Sequence, residues 1–420
     1  MTATPGLPAR RGALKLLEAV LRRGETLEQA ENAALAGIAG PADRALARAI
    51  AGETLRWLTD LDTLIDSATR KRLGDDTKVR AVLRLMLAQA LRLNTPSHAV
   101  IATGLDMLAG GPRKLAHGVF STLMKGEAQL PSVPTLPTAV RERWGKDAAQ
   151  EIARGLIDPP EVDLALKDPM ATAQTALDMG GVSLAPAHVR LPRGTPIEML
   201  PSYDEGAWWV QDLAAQIPAR LLGDGSGEQG GMRALDLCAA PGGKTLALAA
   251  AGWKVTALDI SGERLKRLRA NLKRTGLEAE IVKANALTYT PAKRFDAILL
   301  DAPCSATGTC RRHPDVLHRI GARQIGEMVE MQRELLKRAI GWMQSGATLV
   351  YTVCSLETEE GEGQAHWVED TFDLERMPIT AGDLPSGLAP TDEGCVRTHP
   401  GQLVEEGGLD GFFIARWRKA

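Results

Sequence analysis

The sequence predicts a multidomain protein in which an all-α region comes first, a small α+β segment follows and an α/β domain comes last. The chain has 420 residues, more than one ordinary hydrophobic core supports, so we expect two or three domains. Apolar residues recur at helical spacing in the first part of the chain. In the last part, short apolar runs alternate with helical patterns, which predicts parallel strands in a doubly wound sheet.

The first predicted domain covers residues 1–130 and is all-α. Apolar side chains repeat at helical spacing over residues 10–23, and similar patterns follow as far as residue 126. Basic residues cluster at three places on these helices: Arg22–Arg23, Arg70–Arg72 and Arg113–Lys114. Such clusters are either solvated helix faces or contacts for RNA, and the pattern alone leaves both open.

The second predicted segment, residues 131–205, joins the two larger parts. It begins with the prolines Pro131, Pro134 and Pro137, which indicate a linker. Alternating apolar residues at 162–166 then predict a short strand, and a helix and further strand patterns follow. We assign this segment to a linker and a small α+β unit, and residues 206–420 to the α/β domain.

Bulk composition limits the classes of function. The net charge is −2, so a nucleic-acid partner would have to be held by local basic patches. The five cysteines lack both the spacing of a disulfide framework and that of a zinc site, which favours a reducing compartment and no metal. The sequence contains no run of 18 uncharged apolar residues, so we predict no membrane span. We therefore expect a cytoplasmic protein without a membrane partner.

A glycine-rich turn joins the first strand of the α/β domain to its helix. Residues 235–245 place Gly242 and Gly243 where a ligand can approach the backbone and meet the free N–H groups of a helix start. The turn has neither the dinucleotide-binding fingerprint nor the phosphate-binding loop pattern, which disfavours a nicotinamide dehydrogenase. The next strand ends at Asp259, where a carboxylate can accept hydrogen bonds from ribose hydroxyls. Asn285, after the third strand, suits an adenine edge. A nucleoside cofactor without a pyrophosphate cradle indicates S-adenosylmethionine.

Two later strands each end in a cysteine. The apolar run 295–300 is followed by Asp301, Ala302, Pro303 and Cys304, and the strand pattern at 347–352 is followed by Cys354. Because the carboxyl ends of parallel strands meet at one edge of a sheet, we expect both thiols at the ligand-binding edge. Two thiols suit methylation of a pyrimidine at C5, since a thiolate that adds to C6 makes C5 electron-rich. Arg311, Arg312 and His313 would bring positive potential to this site or bind a phosphate, or else form a solvated loop.

The motifs at 235–245, 301–308, 311–315 and 353–355 resemble those of the RNA cytosine-C5 methyltransferases. Their order and the helical N-terminal region resemble the bacterial 16S ribosomal RNA enzymes of the Sun/Fmu type. The resemblance implies a NusB-like RNA-binding domain, a small α+β segment and a Rossmann-type methyltransferase domain. It also implies S-adenosylmethionine as cofactor and 16S ribosomal RNA as partner, either naked or in an early assembly intermediate. We expect a monomer.

The resemblance also implies roles for individual residues. Cys354 would be the nucleophile, Cys304 would assist product release, and Asp301 would contact the base and lie near the cofactor. The ribose would meet Asp259. The methionine end of the cofactor would be surrounded by the turn residues Cys238, Ala239, Ala240, Pro241, Gly242, Gly243 and Lys244.

Three features depart from the family pattern. Asn285 stands where the family usually has Asp, so the adenine contact is arranged differently. Cys310 is an extra thiol without an assigned role. Leu164–Lys167 replaces a more typical strand sequence in the bridging segment, which puts RNA contacts there in doubt.

Other functions remain open at this point. The enzyme could act on transfer RNA or another RNA. A DNA-type mechanism would exchange the roles of Cys304 and Cys354. A protein of another class, a non-catalytic RNA-binding ribosome assembly factor, would not need the set formed by Asp301, Cys304 and Cys354.

Overall fold

The computed structural model describes residues 5–227 and 231–420. The chain forms two compact units. The first consists of Met1–Ile157 and Arg312–Ile320, and the second of Asp158–Arg311 and Gly321–Ala420.

The first unit is helical, which confirms the predicted all-α region. Its core contains the fully buried rings of Trp57 and Phe120 among leucine, valine and alanine side chains. Local signals set several helix ends: Pro8 lies in the first turn of the first helix, and Thr26 and Gln29 form a capping box on the second. The helices are α1 (Leu7–Arg23), α2 (Leu27–Ala34), α3 (Pro41–Arg56), α4 (Leu58–Ser67), α5 (Lys78–Leu91), α6 (Ser97–Leu105), α7 (Gly110–Lys125), α8 (Thr138–Trp144) and α9 (Lys146–Arg154).

The proline-rich segment 131–137 belongs to the first unit. The backbone N–H of Thr135 donates a hydrogen bond to Asp60 Oδ2 at 2.9 Å, and the side chain of Leu136 is buried. Because these contacts hold the segment against helix α4, the boundary between the compact units falls at residues 157–158 instead of at residue 130.

A nine-residue segment of the later chain, 312–320, also belongs to the first unit. It contains the short helix α14 (Val316–Arg319). His318 Nε2 donates a hydrogen bond to the carbonyl oxygen of Leu55 at 2.7 Å, and burial lowers the pKa of this imidazole. A neutral His318 therefore anchors the segment to the end of α3.

The second unit begins with a three-stranded antiparallel sheet in the order β2–β1–β3. Its strands are β1 (Val162–Leu166), β2 (His188–Leu191) and β3 (Trp208–Val210). Asp163 on β1 pairs with Arg190 on β2 at 2.6 Å, and the backbone N–H of Leu213 donates to Asp163 Oδ2 at 2.9 Å. The small sheet is thereby joined to the first helix of the following α/β region, within the same unit.

The large sheet has the order β10–β11–β8–β7–β4–β5–β6, and β9 pairs with β11. The five neighbouring strands from β8 to β6 in this order are all paired in parallel, as predicted. Strand β11 runs antiparallel to β8. Its strands are β4 (Arg233–Leu237), β5 (Lys254–Asp259), β6 (Glu280–Lys283), β7 (Phe295–Asp301), β8 (Met343–Val353), β9 (Leu374–Arg376), β10 (Val396–Arg397) and β11 (Phe413–Lys419).

Helices cover this sheet, and their apolar faces close its core. The long helix α15, for example, buries Leu335, Leu336 and Ala339. The helices of the second unit are α10 (Thr172–Met179), α11 (Leu213–Arg220), α12 (Gly243–Ala250), α13 (Gly262–Thr275), α15 (Ala322–Trp342) and α16 (Glu362–Thr371). None of the helices in the described residues is long and apolar enough to cross a bilayer.

Candidate active site

Two cysteines meet at the carboxyl edge of the large sheet. Strands β7 and β8 are parallel neighbours in which Asp301 lies opposite Thr352, so the turns that follow them lie side by side. These turns carry Cys304 and Cys354, whose sulfur atoms are 3.5 Å apart. Both side chains are half-buried. The structure thus brings together the two thiols that the sequence placed at one edge.

Cys304 is held as a neutral thiol. Its pKa is raised well above the ordinary value, first by the hydrogen bond to Cys354, then by burial and by the negative charges of Cys354 and Glu360. In the hydrogen bond between the two sulfur atoms, either thiol can be the donor.

Asp301 forms an ion pair at the same edge. Lys244 Nζ donates to Asp301 Oδ2 at 2.7 Å, and the Asp301 side chain is about one-third exposed at 32%. Burial acts to lower the pKa of Lys244, but the charge and hydrogen bond of Asp301 outweigh it and raise this pKa. Lys244 therefore stays protonated and binds Asp301 to the glycine-rich turn.

The glycine-rich turn links β4 to α12 as the sequence predicts. Gly242 has a φ of 112°, which favours glycine, and a Cβ at this position would lie 2.3 Å from Leu268. Gly243 is the first residue of α12, and the preceding Cys238 also has a positive φ, of 66°. The turn packs tightly against α13 and presents the start of α12 at the sheet edge.

Asp259 and Asn285 follow the next two strands. Asp259 is buried, and its two carboxylate oxygens accept the backbone N–H groups of Ala240 at 3.0 Å and Ser261 at 2.7 Å. Each oxygen still has a lone pair for a ligand hydroxyl. Asn285 is exposed, and its side-chain oxygen accepts the backbone N–H of Leu287 at 3.0 Å, which leaves the amide N–H₂ directed elsewhere.

A third carboxylate, Asp236, lies inside the sheet below the turn. Thr245 Oγ1 donates to Asp236 Oδ2 at 2.5 Å, while Oδ1 is buried and has no hydrogen-bond partner among the described residues. Burial raises the pKa of Asp236 to about 7. The sequence did not single out this residue, because an Asp inside an apolar strand gives no signal of its partner.

The structure does not support the predicted RNA contact of Arg311. Its guanidinium is buried, donates to Asp410 Oδ1 at 2.9 Å and to the carbonyl oxygen of Gly407 at 2.8 Å, and also pairs with Asp212. Burial acts to lower the pKa of Arg311, but the two carboxylates outweigh it and raise the pKa. Arg311 therefore fixes the C-terminal loop in the second unit, whereas Arg312 and His313 are exposed.

The C-terminal loop also meets the turn that carries Cys304. The backbone N–H of Gly308 donates to the carbonyl oxygen of Cys354 at 3.0 Å, and the N–H of Gly411 donates to that of Gly308 at 2.8 Å. A Cβ on Gly308 would lie 1.9 Å from the Gly411 oxygen. Only glycine fits between the cysteine turns and this loop.

Within residues 5–227 and 231–420, no group of three or more His, Cys, Asp or Glu side chains is arranged to hold a metal ion.

Parallel central strands, a glycine-rich turn after the first of them and a carboxylate after the next define a Rossmann-type methyltransferase domain. Comparisons with known proteins agree with this class. Residues 227–418 match the family described as "16S rRNA methyltransferase RsmB/F", and residues 7–108 match the NusB family.

Individual relatives extend the similarity over the whole chain. The chain is 31% identical over 451 aligned residues to the ribosomal RNA small subunit methyltransferase B of Xanthomonas campestris, covering 100% of this chain and 99% of that protein. The chain belongs to the ribosomal RNA small subunit methyltransferase B family, a family of RNA methyltransferases.

Two solved structures share the fold. The crystal structure of PH0851 superposes with a TM-score of 0.72 at 22% identity and covers 99% of both chains. A methyltransferase homolog from Pyrococcus horikoshii has a TM-score of 0.56 at 26% identity and covers 67% of this chain and 94% of its own.

Proposed function

We propose that this protein methylates C5 of a cytosine in 16S ribosomal RNA through a covalent bond between Cys354 and C6 of the base. The contact between the two sulfur atoms at 3.5 Å carries this proposal. One thiol adds to the ring while the other is needed afterwards, so the two must reach the same base. Family membership supports ribosomal RNA as the substrate class.

The residues at the sheet edge fit S-adenosylmethionine, which when bound supplies the methyl group as an electrophile. Asp259 retains acceptor capacity for the two ribose hydroxyls. The N–H groups at the start of α12 are placed to bind the carboxylate of the methionine part of the cofactor. Asp301 is placed to bind the positive charge of that methionine part. We assign Cys238–Lys244, Asp259, Asn285 and Asp301 to cofactor binding on this basis.

The reaction begins with Cys354. Its thiolate adds to C6, and the electron pair displaced from the C5–C6 double bond makes C5 nucleophilic. After C5 has gained the methyl group, it must lose its proton so that the C6–S bond can break and the double bond can return. Cys354 leaves as the thiolate, and the reaction releases one proton in total.

The second step is assigned to Cys304. Its raised pKa depends first on the hydrogen bond to Cys354, and that contribution ends when Cys354 is bonded to C6. Cys304 then loses its proton to solvent more readily and takes the C5 proton as a base. This sequence returns Cys304 to a neutral thiol, the form that its raised pKa favours.

Substitution of each cysteine separates their roles. With RNA and cofactor present, Cys304→Ala is expected to accumulate a protein–RNA adduct that survives denaturing electrophoresis, because the adduct forms and is not resolved. Cys354→Ala is expected to form none. Cys395→Ala, which removes a buried thiol near Arg376, is the matched control. An adduct in Cys354→Ala and none in Cys304→Ala would contradict the assignment.

The same assay distinguishes substrates and the scaffold alternative. We expect adduct formation with 16S RNA and not with transfer RNA transcripts. Adduct formation with transfer RNA alone would identify a different RNA substrate. If the protein were a non-catalytic assembly factor, calorimetry would detect no S-adenosylmethionine binding at about millimolar cofactor, a concentration that detects even weak complexes.

We assign RNA binding to basic side chains on the surface of the first unit, including its segment 312–320. Arg70, Lys71 and Lys114 of the helical unit are exposed, as are Arg312 and His313. Contacts with phosphates make the affinity fall with salt. An affinity that does not change between low and high salt would contradict this assignment. We expect the protein to act in the cytoplasm as a monomer.

A further inference from the structure

A buried carboxylate connects the two cysteine turns from inside the second unit. Glu360 has no exposed surface. Its Oε1 accepts the backbone N–H of Ser305 at 2.9 Å and Gln332 Nε2 at 3.0 Å. Its Oε2 accepts the hydroxyl of Ser355 at 2.5 Å and also that of Ser305. No Lys, Arg or His in the described ranges forms an ion pair with Glu360.

The partners of Glu360 are the residues next to the two thiols. Ser305 directly follows Cys304, and Ser355 directly follows Cys354. Gln332 Nε2 donates to the carbonyl oxygen of Pro303 at 2.9 Å as well, so the backbone is fixed on both sides of Cys304. One carboxylate therefore sets the distance between two turns that lie 50 residues apart in sequence.

All four groups that reach Glu360 are donors. An ionised carboxylate accepts at both oxygens, whereas a glutamine has one acceptor oxygen and an N–H₂ group that would face either the two N–H donors or the two serine hydroxyls. A glutamine would keep both N–H groups on its oxygen only if its N–H₂ faced the two serine hydroxyls and these hydroxyls turned to accept, and all four hydrogen bonds would lose their charged acceptor. The arrangement of the four donors thus favours a charged acceptor on both arms of the side chain.

We propose that Glu360 is a positioning residue that holds the Cys304 and Cys354 turns so that one base can meet both sulfur atoms. The inference rests on the proposed function, in which the two thiols act in sequence on one base. Glu360 touches neither sulfur, and it acts through Ser305 and Ser355.

The charge of Glu360 has a second effect that can be measured separately. It contributes to the raised pKa of Cys304, after the hydrogen bond to Cys354, burial and the charge of Cys354. Tyr351 on β8 also interacts with Cys304 and Glu360, and it stays neutral because burial raises its pKa well above its usual value. Removing the negative charge of Glu360 should therefore lower the pKa of Cys304.

The test uses the full-length protein with Glu360→Gln, and Glu359→Gln as the matched control, because Glu359 is the exposed neighbour with the same charge. We expect kcat for methyl transfer to fall about tenfold or more in Glu360→Gln, the size of effect of one lost hydrogen bond to a charged group, with little change in KM. Alkylation of Cys304, followed by mass spectrometry as a function of pH, should shift to lower pH. Glu359→Gln should match the wild type in both measurements.

An unchanged kcat together with an unchanged alkylation profile would overturn the inference. If circular dichroism shows that Glu360→Gln does not fold, Ser355→Ala takes its place. This variant removes a single donor to Glu360 and keeps the charge, so it should reduce kcat and leave the alkylation profile of Cys304 unchanged. The alkylation profile does not need methyl transfer. A failure of adduct formation in Cys304→Ala would thus refute the proposed function, while a shifted alkylation profile would still support the link between Glu360 and Cys304.

Discussion

Replacing Arg311 by methionine separates its structural role from the RNA contact that its sequence position suggested. The change removes a guanidinium that is 3% exposed and that pairs with the carboxylates of Asp212 and Asp410, which are 2% and 0% exposed. Removing one partner of a buried ion pair typically costs about 3–5 kcal/mol. Since a domain is stable by only about 5–15 kcal/mol, we expect a large loss in the second unit.

Urea unfolding followed by circular dichroism measures this loss. Arg323→Met is the matched control, because Arg323 is 85% exposed and its pair with Glu327 lies on the surface of α15. Such a pair contributes about 0.3–0.5 kcal/mol. We expect the salt dependence of RNA binding to stay unchanged in folded Arg311→Met. If Arg311→Met instead kept wild-type stability and its salt slope fell by about 0.7–0.9, which is the loss of one phosphate contact, the reasoning would be refuted.

Three further substitutions test other parts of the site. Gly308→Ala places a Cβ 1.9 Å from the Gly411 oxygen, and we expect it to lower the free energy of unfolding in urea by about 1–3 kcal/mol. Gly326→Ala, which has open space around its Cβ, is the control and should not lower it. Equal stability of the two variants would contradict the tight fit at Gly308. Asp259→Asn should weaken S-adenosylmethionine binding by about 10- to 100-fold in calorimetry. Asp370→Asn, at an exposed position, is the control and should not weaken it. An unchanged affinity in Asp259→Asn would exclude Asp259 as a ligand residue. Because the pKa of Asp236 is raised to about 7, its contribution to stability is present below about pH 4 and is lost as pH rises through about 7. Asp236→Asn should therefore gain unfolding free energy relative to the wild type as pH rises from about 4 to about 7, and parallel pH profiles would contradict the raised pKa.

The strands and the thiol pair were predictable because both depend on local patterns. Alternation of apolar runs and helical spacing indicated β4–β8, and the common direction of β7 and β8 placed Cys304 beside Cys354. The contacts of single charged residues were not predictable in this way. The two carboxylate partners of Arg311 lie 99 residues before and after it, and no local pattern indicates such a distance.

Glu360 and the proline-rich segment show the same limit. The run Glu357–Glu360 has the composition of a solvated turn, yet Glu360 is buried because the donors of two distant turns converge on it. Residues 131–137 have the composition of a linker, but the buried Leu136 and the hydrogen bond from Thr135 to Asp60 join them to the helical unit.

Bisulfite sequencing of 16S ribosomal RNA tests the central claim most directly. We expect one cytosine to be protected from conversion in wild-type cells and converted in cells that lack the gene. Expression of the wild-type protein should restore protection, and expression of Cys354→Ala should not. A 16S RNA whose cytosines convert identically in both strains would contradict the account.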